Sequence, residues 1–319
     1  MNVEIIIQNG NTLLTPCVEE GIAWDTERVG TPGKLTFSVI PDSKCVFREG
    51  NPVRMTVDGK PVFYGFVFAK KRSHENKIDV TAYDQLRYLK NSDTYTYKNK
   101  RADQVIRMLA ADFRLQTGTI ENTGYVIPSR VEDNKTLFDI IQNALDITLR
   151  NRKILYTLYD DFGKLTLKNV ENMKIPLLIS PETGESFDYS SSIDGDTYNK
   201  IKLSFDNKKT GKRDIYIAKD SQNINQWGVL QYRDELQEKE NGQAKADALL
   251  QLYNKPTRSL SVKGAFGDVR VRAGSSVVVQ FSFDDLKLQN WMLVEKAKHT
   301  FSGQEHSMDL TLRGGEFNG

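Results

Sequence analysis

The chain has 319 residues, which is long enough for two or three domains of ordinary size. Its 44 basic and 42 acidic residues leave a net charge of +2, so no global field favours specific nucleic-acid binding or an anionic membrane. Two cysteines exclude a disulfide framework, and no apolar stretch approaches the ~20 residues that span a bilayer.

The first 90 residues carry the alternation of a β-domain. They begin without a basic region followed by a long apolar run, so we expect no signal peptide and folding in the cytoplasm. Alternating apolar residues predict strands, each with one buried face, over residues 3–7, 18–24, 35–39, 53–57, 62–69 and 78–82. The last four strands, joined by short turns, predict an antiparallel meander that closes into a small barrel, followed by a helical turn at 84–89.

The same plan returns near the C-terminus. One offset aligns the two regions through four residue pairs: Pro32 with Pro256, Arg48 with Arg272, Gly50 with Gly274, and Val53 with Val277. After a one-residue adjustment, residues 78–82 resemble residues 308–312. We predict a structural repeat, although two unrelated meanders would share the alternation by chance.

The middle of the chain has the spacing of helices. Apolar residues recur at intervals of three and four over 101–113 and 136–149, which predicts two amphipathic helices. Thr136 and Asp139 resemble a capping box at the start of the second helix. A hairpin follows over 154–168, so we predict an inserted α/β unit.

The second half resumes with strands after a linker. Residues 183–199 are rich in Gly, Ser and Asp and predict a loop between domains. Strands are predicted at 201–205, 214–218 and 227–232, a helix at 243–253, and then the second meander.

The predicted fold class is therefore α+β, mainly β, with two small antiparallel β-barrels in pseudo-repeat and an inserted α/β unit. We predict three domains. They are an N-terminal β-barrel over 1–91, the α/β insertion over 92–182, and a C-terminal domain over 183–319 with the second barrel and one helix.

Catalytic and metal-binding motifs are missing from the sequence. His74, His299 and His306 lie in or beside predicted turns, where solvated side chains are the simpler interpretation than metal ligands. The adjacent acid pairs suggest glycoside hydrolysis, but with 42 acids such pairs arise by chance. These pairs include Glu19-Glu20, Asp160-Asp161 and Asp284-Asp285. The basic clusters at 98–101 and 208–213 are interpreted as solvated surface. We expect no catalytic residue, metal or cofactor, and no enzyme.

Three segments carry a family resemblance. Residues 47–91, residues 134–169 and the segment SIDGDTYNKIKL at 192–203 resemble the baseplate hub proteins of contractile phage tails and phage-derived particles. The resemblance is to the XkdQ/YqbQ type within the phage late control D superfamily, and it covers nearly the whole chain.

The resemblance implies a structural protein of the tail baseplate, in a virion or a headless particle such as a tailocin, assembled in the host cytoplasm. It implies a homotrimer, in which three copies of two barrels form a pseudo-hexameric ring that adapts the sixfold tail tube to the threefold spike. The implied partners are the tail tube protein, the spike protein, other baseplate proteins and the tape measure protein. It supplies no catalytic residues.

Two hairpin tips are candidate contacts with the tube, with solvated tips as the alternative. If the repeats are equivalent, these tips point the same way; they comprise Asp58, Gly59 and Lys60, and Asp284, Asp285 and Leu286. The alternative functions are a peptidoglycan hydrolase of the tail tip and a glycan-binding component, the latter suggested by aromatic residues such as Trp227.

Overall fold

The computed structural model is mainly β and describes five stretches of the chain. They are residues 1–72, 77–207, 211–236, 241–282 and 287–314.

Two compact units divide the chain. The larger contains residues 1–188 and continues from 260, and the smaller contains 189–259. The predicted boundaries at 91/92 and 182/183 do not coincide with this division, because residues 92–182 pack within the larger unit. That this segment is a separate domain stays a prediction.

Seven strands make up the N-terminal part. They are β1 (Val3–Asn9), β2 (Thr12–Leu14), β3 (Ile22–Glu27), β4 (Lys34–Val39), β5 (Pro52–Val57), β6 (Lys60–Arg72) and β7 (Ile78–Tyr83). Their order in the sheet is β3-β4-β7-β6-β5-β1-β2. β5, β6 and β7 form the predicted meander, but the prediction that β4 begins it is wrong, because β4 pairs with β7. Val18 forms only an isolated bridge to Val39, so the predicted strand at 18–24 begins at Ile22.

The middle segment begins after a 3₁₀ turn, Gln85–Lys90, which confirms the predicted helical turn. Its elements are β8 (Ser92–Lys100), α1 (Ala102–Asp112), β9 (Thr117–Ile120), β10 (Ile127–Thr136), α2 (Leu137–Arg152), β11 (Tyr156–Asp160) and β12 (Leu165–Asn169). Both predicted helices and the hairpin are confirmed, and the hydroxyl of Thr136 accepts a hydrogen bond from the backbone of Asp139 over 3.1 Å. Their apolar faces form one buried cluster. The polar strands β8 and β10 were not predicted.

Two strands and the smaller unit follow. Their elements are β13 (Lys174–Ile179), β14 (Ser186–Ser192), β15 (Lys200–Asn207), β16 (Lys212–Lys219), α3 (Ser221–Trp227), β17 (Gln231–Glu235) and α4 (Gly242–Tyr253). The loop predicted over 183–199 is wrong in part, because β14 lies within it. The strand predicted at 227–232 is also wrong. Trp227 ends α3, which Asp220 caps by accepting from the Asn223 backbone N–H, and β17 begins at Gln231.

The last four strands return to the large sheet. They are β18 (Thr257–Phe266), β19 (Ser276–Ser282), β20 (Lys287–Ser302) and β21 (Glu305–Gly314). Apolar side chains that alternate along them are buried, as predicted; they include Val277, Val279, Phe281, Leu310 and Leu312. β19, β20 and β21 form the predicted second meander, but the prediction that β18 begins it is wrong, because β18 neighbours β21.

The predicted repeat is present in the strand connectivity. The N-terminal set has the order β1-β5-β6-β7-β4-β3, and the second set has the order β13-β19-β20-β21-β18-β14. With the three-residue strand β2 left out, numbering the strands of each set by chain position gives the order 1-4-5-6-3-2 for both. One difference is that β1 pairs with β5 antiparallel, whereas β13 pairs with β19 parallel. The second set begins before the predicted boundary at residue 183 and is interrupted between β14 and β18. Whether each set closes into a barrel stays a prediction.

The turn before β5 shows how close the equivalence is. The Asn51 backbone N–H donates to the Arg48 carbonyl over 3.2 Å, and the Arg48 N–H donates to Asn51 Oδ1 over 2.8 Å. Gly50, at a φ of 84°, donates its N–H to the carbonyl of Val67 in β6 over 2.7 Å. The Val67 N–H donates back to the Asn51 carbonyl over 2.9 Å.

The turn before β19 repeats each of these bonds. The Ser275 N–H donates to the Arg272 carbonyl over 3.0 Å, and the Arg272 N–H donates to Ser275 Oγ over 3.2 Å. Gly274, at a φ of 94°, donates to the Val294 carbonyl in β20, and the Val294 N–H donates back to Ser275, each over 2.8 Å. Glycine is needed at both turns because other residues rarely adopt this positive φ. The alignments of Arg48, Gly50 and Val53 with their counterparts are therefore confirmed.

An irregularity in strand pairing also recurs. The β6–β7 register shifts between Val67 and Ala69, and the β20–β21 register shifts between Val294 and Lys296. These are equivalent positions, since Val67 lies opposite Ala82 and Val294 lies opposite Leu312. The resemblance of 78–82 to 308–312 is thereby confirmed.

The alignment of Pro32 with Pro256 is wrong. The same offset aligns Leu35 of β4 with Ser259, but Leu35 is buried and Ser259 is only half-buried. The buried positions of β18 are Leu260, Val262 and Ala265. A strand alternates its faces at every residue, so an offset wrong by one residue exchanges the core face for the outer face.

Candidate assembly interface

One strand pairing joins the two sets into a single sheet. β3 pairs antiparallel with the second half of β20, from Glu27 opposite Lys296 to Ile22 opposite Phe301. Lys296 Nζ lies 2.9 Å from Glu27 Oε1 across this junction. An ion pair of 2.8 Å between Arg28 and Glu295 follows at its end.

The junction occupies a defined edge of β20. β19 and β21 both pair with β20 at Met292 and Leu293, so they lie on opposite edges. β3 and β21 both pair with β20 from Lys296 to Phe301, so they are opposite as well. β3 and β19 therefore lie along the same edge of β20, one after the other.

A buried group of charged side chains lies next to the junction. The Arg272 guanidinium is shielded from solvent, donates from Nη2 to the Asp160 carbonyl over 2.8 Å, and stacks on Tyr159 with its centre 4.1 Å from the ring centroid. Asp84 and Asp160 are 4% and 5% exposed, and both attract Arg272. This charged node joins the turn before β19 to the 3₁₀ turn and to β11, and so anchors the middle segment.

Hydrogen bonds from the backbone and an amide satisfy the two carboxylates. Asp84 accepts from the N–H groups of Gly33 and Leu86 over 2.9 and 3.0 Å. Asp160 accepts from the N–H of Gly163 over 2.6 Å and from Gln85 Nε2 over 2.9 Å.

The pKa values of these groups reflect burial. Desolvation raises the pKa of Asp84 well above its usual range, and the nearby Asp160 raises it further. Desolvation also raises the pKa of Asp160 and lowers that of Arg272, since burial penalises each charged form. Enclosure of all three groups favours a structural role over contact with a substrate.

The histidine prediction is wrong for two of the three residues. His299 is fully buried, stacks on Trp24 with ring centroids 4.8 Å apart, and shares a 2.9 Å hydrogen bond with His306, which is half-buried. Its other ring nitrogen lies 2.9 Å from the Val271 carbonyl. Desolvation lowers the pKa of His299 to about 3, so the ring is neutral in the fold. His74 lies outside the described residues.

The predicted hairpin tip in the first set is exposed and tightly formed. Asp58 and Gly59 both have positive φ, 48° and 75°, and Lys60 pairs with Val57 as the first residue of β6. Asp58 Oδ1 accepts from the Asn2 N–H over 2.7 Å, which ties the tip to the start of β1. The other predicted tip, Asp284, Asp285 and Leu286, lies outside the described residues.

Sequence reasoning missed the charged node and the junction. Asp160 had been considered as half of an acid pair, but it is buried against Arg272, whereas Asp285 lies outside the described residues. Within the described ranges, no three His, Cys, Asp or Glu side chains cluster closely enough to hold a metal ion. A cleft of about 490 Å³ opens beside the junction, and its lining includes two ion pairs, Lys34 with Asp25 over 3.1 Å and Lys296 with Glu27. None of the described helices combines the length and apolarity needed to cross a membrane.

Comparison with known proteins agrees with this architecture. The YQBQ-like family model matches residues 22–313. The phage-like element PBSX protein XkdQ of Bacillus subtilis (strain 168) is 35% identical over 307 residues, covering 92% of each chain.

Two solved structures share the fold. One is the 43 kDa tail protein of prophage MuSo2 from Shewanella oneidensis, with a TM-score of 0.67 at 14% identity, covering 97% of this chain and 98% of that one. The other is a tail protein from Neisseria meningitidis MC58, with a TM-score of 0.68 at 13% identity, covering 99% and 98%. By sequence the chain therefore belongs to the YQBQ-like family, and its fold is that of these two tail proteins.

Proposed function

We propose that this protein is the structural hub of a contractile-tail baseplate. Three copies form a pseudo-hexameric ring that adapts the sixfold tail tube to the threefold spike. The observation that carries the proposal is the duplicated strand order 1-4-5-6-3-2, with matching turns and a matching irregularity. A trimer of such a chain presents six similar β-units.

The geometry of a closed ring supports this proposal. A head-to-tail ring requires each unit to present one surface to its predecessor and another to its successor. Within one chain, the β3–β20 pairing already joins the two strand sets in this manner. Three chains contain three such junctions, one in each chain. Three further junctions between neighbouring chains would close a ring of six strand sets.

The proposed partners follow from the position of such a ring. The tail tube protein would lie on one side and the spike protein on the other, with further baseplate proteins around the rim and the tape measure protein in the lumen. The hairpin tip at Asp58, Gly59 and Lys60 is the proposed contact with the tube, together with its counterpart at Asp284, Asp285 and Leu286. We infer that the particle is a virion or a headless phage-like device, assembled in the host cytoplasm.

The proposed role is structural rather than enzymatic. The charged groups with shifted pKa values are enclosed, Arg272 attracts both carboxylates, and each carboxylate accepts hydrogen bonds within the fold. One relative is a protein of a phage-like element, and one solved structure of the same fold is a prophage tail protein. Zymography on peptidoglycan is expected to show no clearing by the purified chain, and clearing that depends on an acid pair would favour a hydrolase.

The mass of the assembled protein tests the ring. The full chain, purified at high concentration, is expected to give a trimer or a multiple of three by light scattering, and particles with six similar lobes by electron microscopy. It is also expected to bind the tail tube protein of the same particle. A stable monomer that does not bind the tube protein would contradict the proposal.

A further inference from the structure

The strand edge used at the β3–β20 junction has a counterpart on β6. β5 and β7 both pair with β6 at Phe66, so they lie on its opposite edges. Beyond Val67, the edge that carries β5 continues over residues 69–72, which correspond to the part of β20 that binds β3. Among the described residues, no strand pairs with this part of that edge. Ala69, Lys71 and Arg72 are exposed.

The strand that would fill this edge also has a counterpart. β3 occupies position two in the first set, and β14 occupies the same position in the second set. β3 pairs with β4 on one side and with β20 on the other, whereas β14 stands at the end of the strand order, next to β18. The two strands have similar lengths, six residues in β3 and seven in β14.

Charge favours the pairing of these two edges. The exposed end of β6 carries Lys71 and Arg72, whereas β14 carries the exposed Asp188 and is preceded by the exposed Glu185. The junction within the chain has the same chemistry, because Lys296 of β20 forms an ion pair with Glu27 of β3. Opposite charges across an interface promote the correct encounter and fix the register.

We propose that β14 of one copy pairs with the end of β6 in the next copy, at residues 69–72. The occupant of this edge is therefore a second copy of this chain. The contact repeats between chains what β3 and β20 do within one chain, so the two kinds of junction alternate around the ring. Strand addition to an exposed edge supplies backbone hydrogen bonds for such a contact. This inference rests on the proposed trimeric ring.

Crosslinking between defined positions tests the proposal. Cys17 and Cys45 are first replaced by serine, and Lys71→Cys and Asp188→Cys are then introduced together in the full chain. A short bismaleimide is expected to convert this variant into a covalent trimer on a denaturing gel. Either single-cysteine variant serves as the control and is expected to give no covalent trimer.

The outcomes separate the edge pairing from the ring itself. A trimer in solution without the crosslink between 71 and 188 would overturn the edge pairing and leave the ring intact. A chain that stays monomeric would overturn both.

Charge reversal provides a second measurement. The double variant Lys71→Glu with Arg72→Glu, and the variant Asp188→Lys, are each expected to weaken trimer formation about tenfold, while the three changes together restore it. Failure of the combined variant to recover would overturn the assigned pairing. If a reversed variant fails to fold, the crosslink in the otherwise native chain decides.

Discussion

Replacing Arg272 by alanine tests the charged node, and the repeat supplies a matched control. The Arg272 guanidinium is enclosed beside Asp84 and Asp160, although the residue as a whole is half-buried, whereas its counterpart Arg48 is exposed in the equivalent turn. Both backbone turns keep their hydrogen bonds when the side chain is shortened, because the bonds come from the main chain and from residue 51 or 275.

The two substitutions should differ strongly in stability. Removing one partner from a buried ion pair costs about 3–5 kcal/mol, because the remaining charge is left uncompensated. Arg272→Ala should therefore lower the free energy of unfolding of the larger unit by about that amount at pH 8. Arg48→Ala should change it by no more than about 0.5 kcal/mol, which is typical of an exposed site.

The effect of Arg272→Ala should also depend on pH. The pKa of Asp84 is raised in the fold, so the folded state binds more protons than the unfolded state above about pH 4. The stability that the raised pKa of Asp84 contributes is fully present below about pH 4 and is lost as the pH rises through the pKa of Asp84 in the folded state. Without Arg272 that pKa rises further, so the variant should be less destabilised at pH 5 than at pH 8.

Urea unfolding followed by tryptophan fluorescence measures both effects, since Trp24 lies beside Arg272 with 5.9 Å between the guanidinium and the ring centroid. Equal losses in Arg272→Ala and Arg48→Ala at pH 8 would refute the account of the node. If Arg272→Ala lost more stability at pH 5 than at pH 8, the proposed protonation of Asp84 would be refuted.

Three further predictions concern the turns, the histidines and the hairpin tip. Gly274→Ala should lower the free energy of unfolding in urea titrations by about 1–3 kcal/mol more than Gly50→Ala does. Both glycines have positive φ, but only a Cβ at 274 would clash, with the Thr157 side chain, so equal losses would contradict this packing. The depressed pKa of His299 means that the unfolded state binds the extra proton, so stability should fall as the pH drops from about 6.5 toward 3, and His299→Gln should flatten that slope in urea titrations; an unchanged slope would show that another group titrates. Exchange of charge at the tip, Asp58→Lys with Lys60→Glu, should reduce binding to the tail tube protein in a pull-down while light scattering still gives a trimer; unchanged binding would remove this tip from the proposed contact.

Local pattern was sufficient to predict most of the elements. Alternation located β4, β5 and β7, and three-to-four spacing located α1 and α2, because each element buries one face and shows it in the sequence. The sequence did not predict β8 and β10, because their residues are mostly polar and exposed and neither strand shows a continuous buried face. Trp227 was misassigned because the capping by Asp220 outweighs the strand preference of the aromatic residue.

The candidate interface was only partly predictable. The hairpin tip at Asp58 and Gly59 is visible in the sequence, since a turn of this kind has a strong residue preference. The burial of Arg272 was not predictable, because Arg48 stands in an equivalent local sequence and is exposed. The difference arises from the middle segment, which covers one turn and leaves the other uncovered.

The sequence by itself determined that the chain is mainly β, that its ends share a plan, and that glycines at 50 and 274 mark equivalent turns. These features depend on period and backbone conformation, which are local. Only the tertiary structure decided that β13 and β14 complete the second set, that β3 joins β20, and that His299 is buried. Each of these depends on contacts between residues far apart in the chain, whose partners are chosen by packing rather than by neighbouring residues.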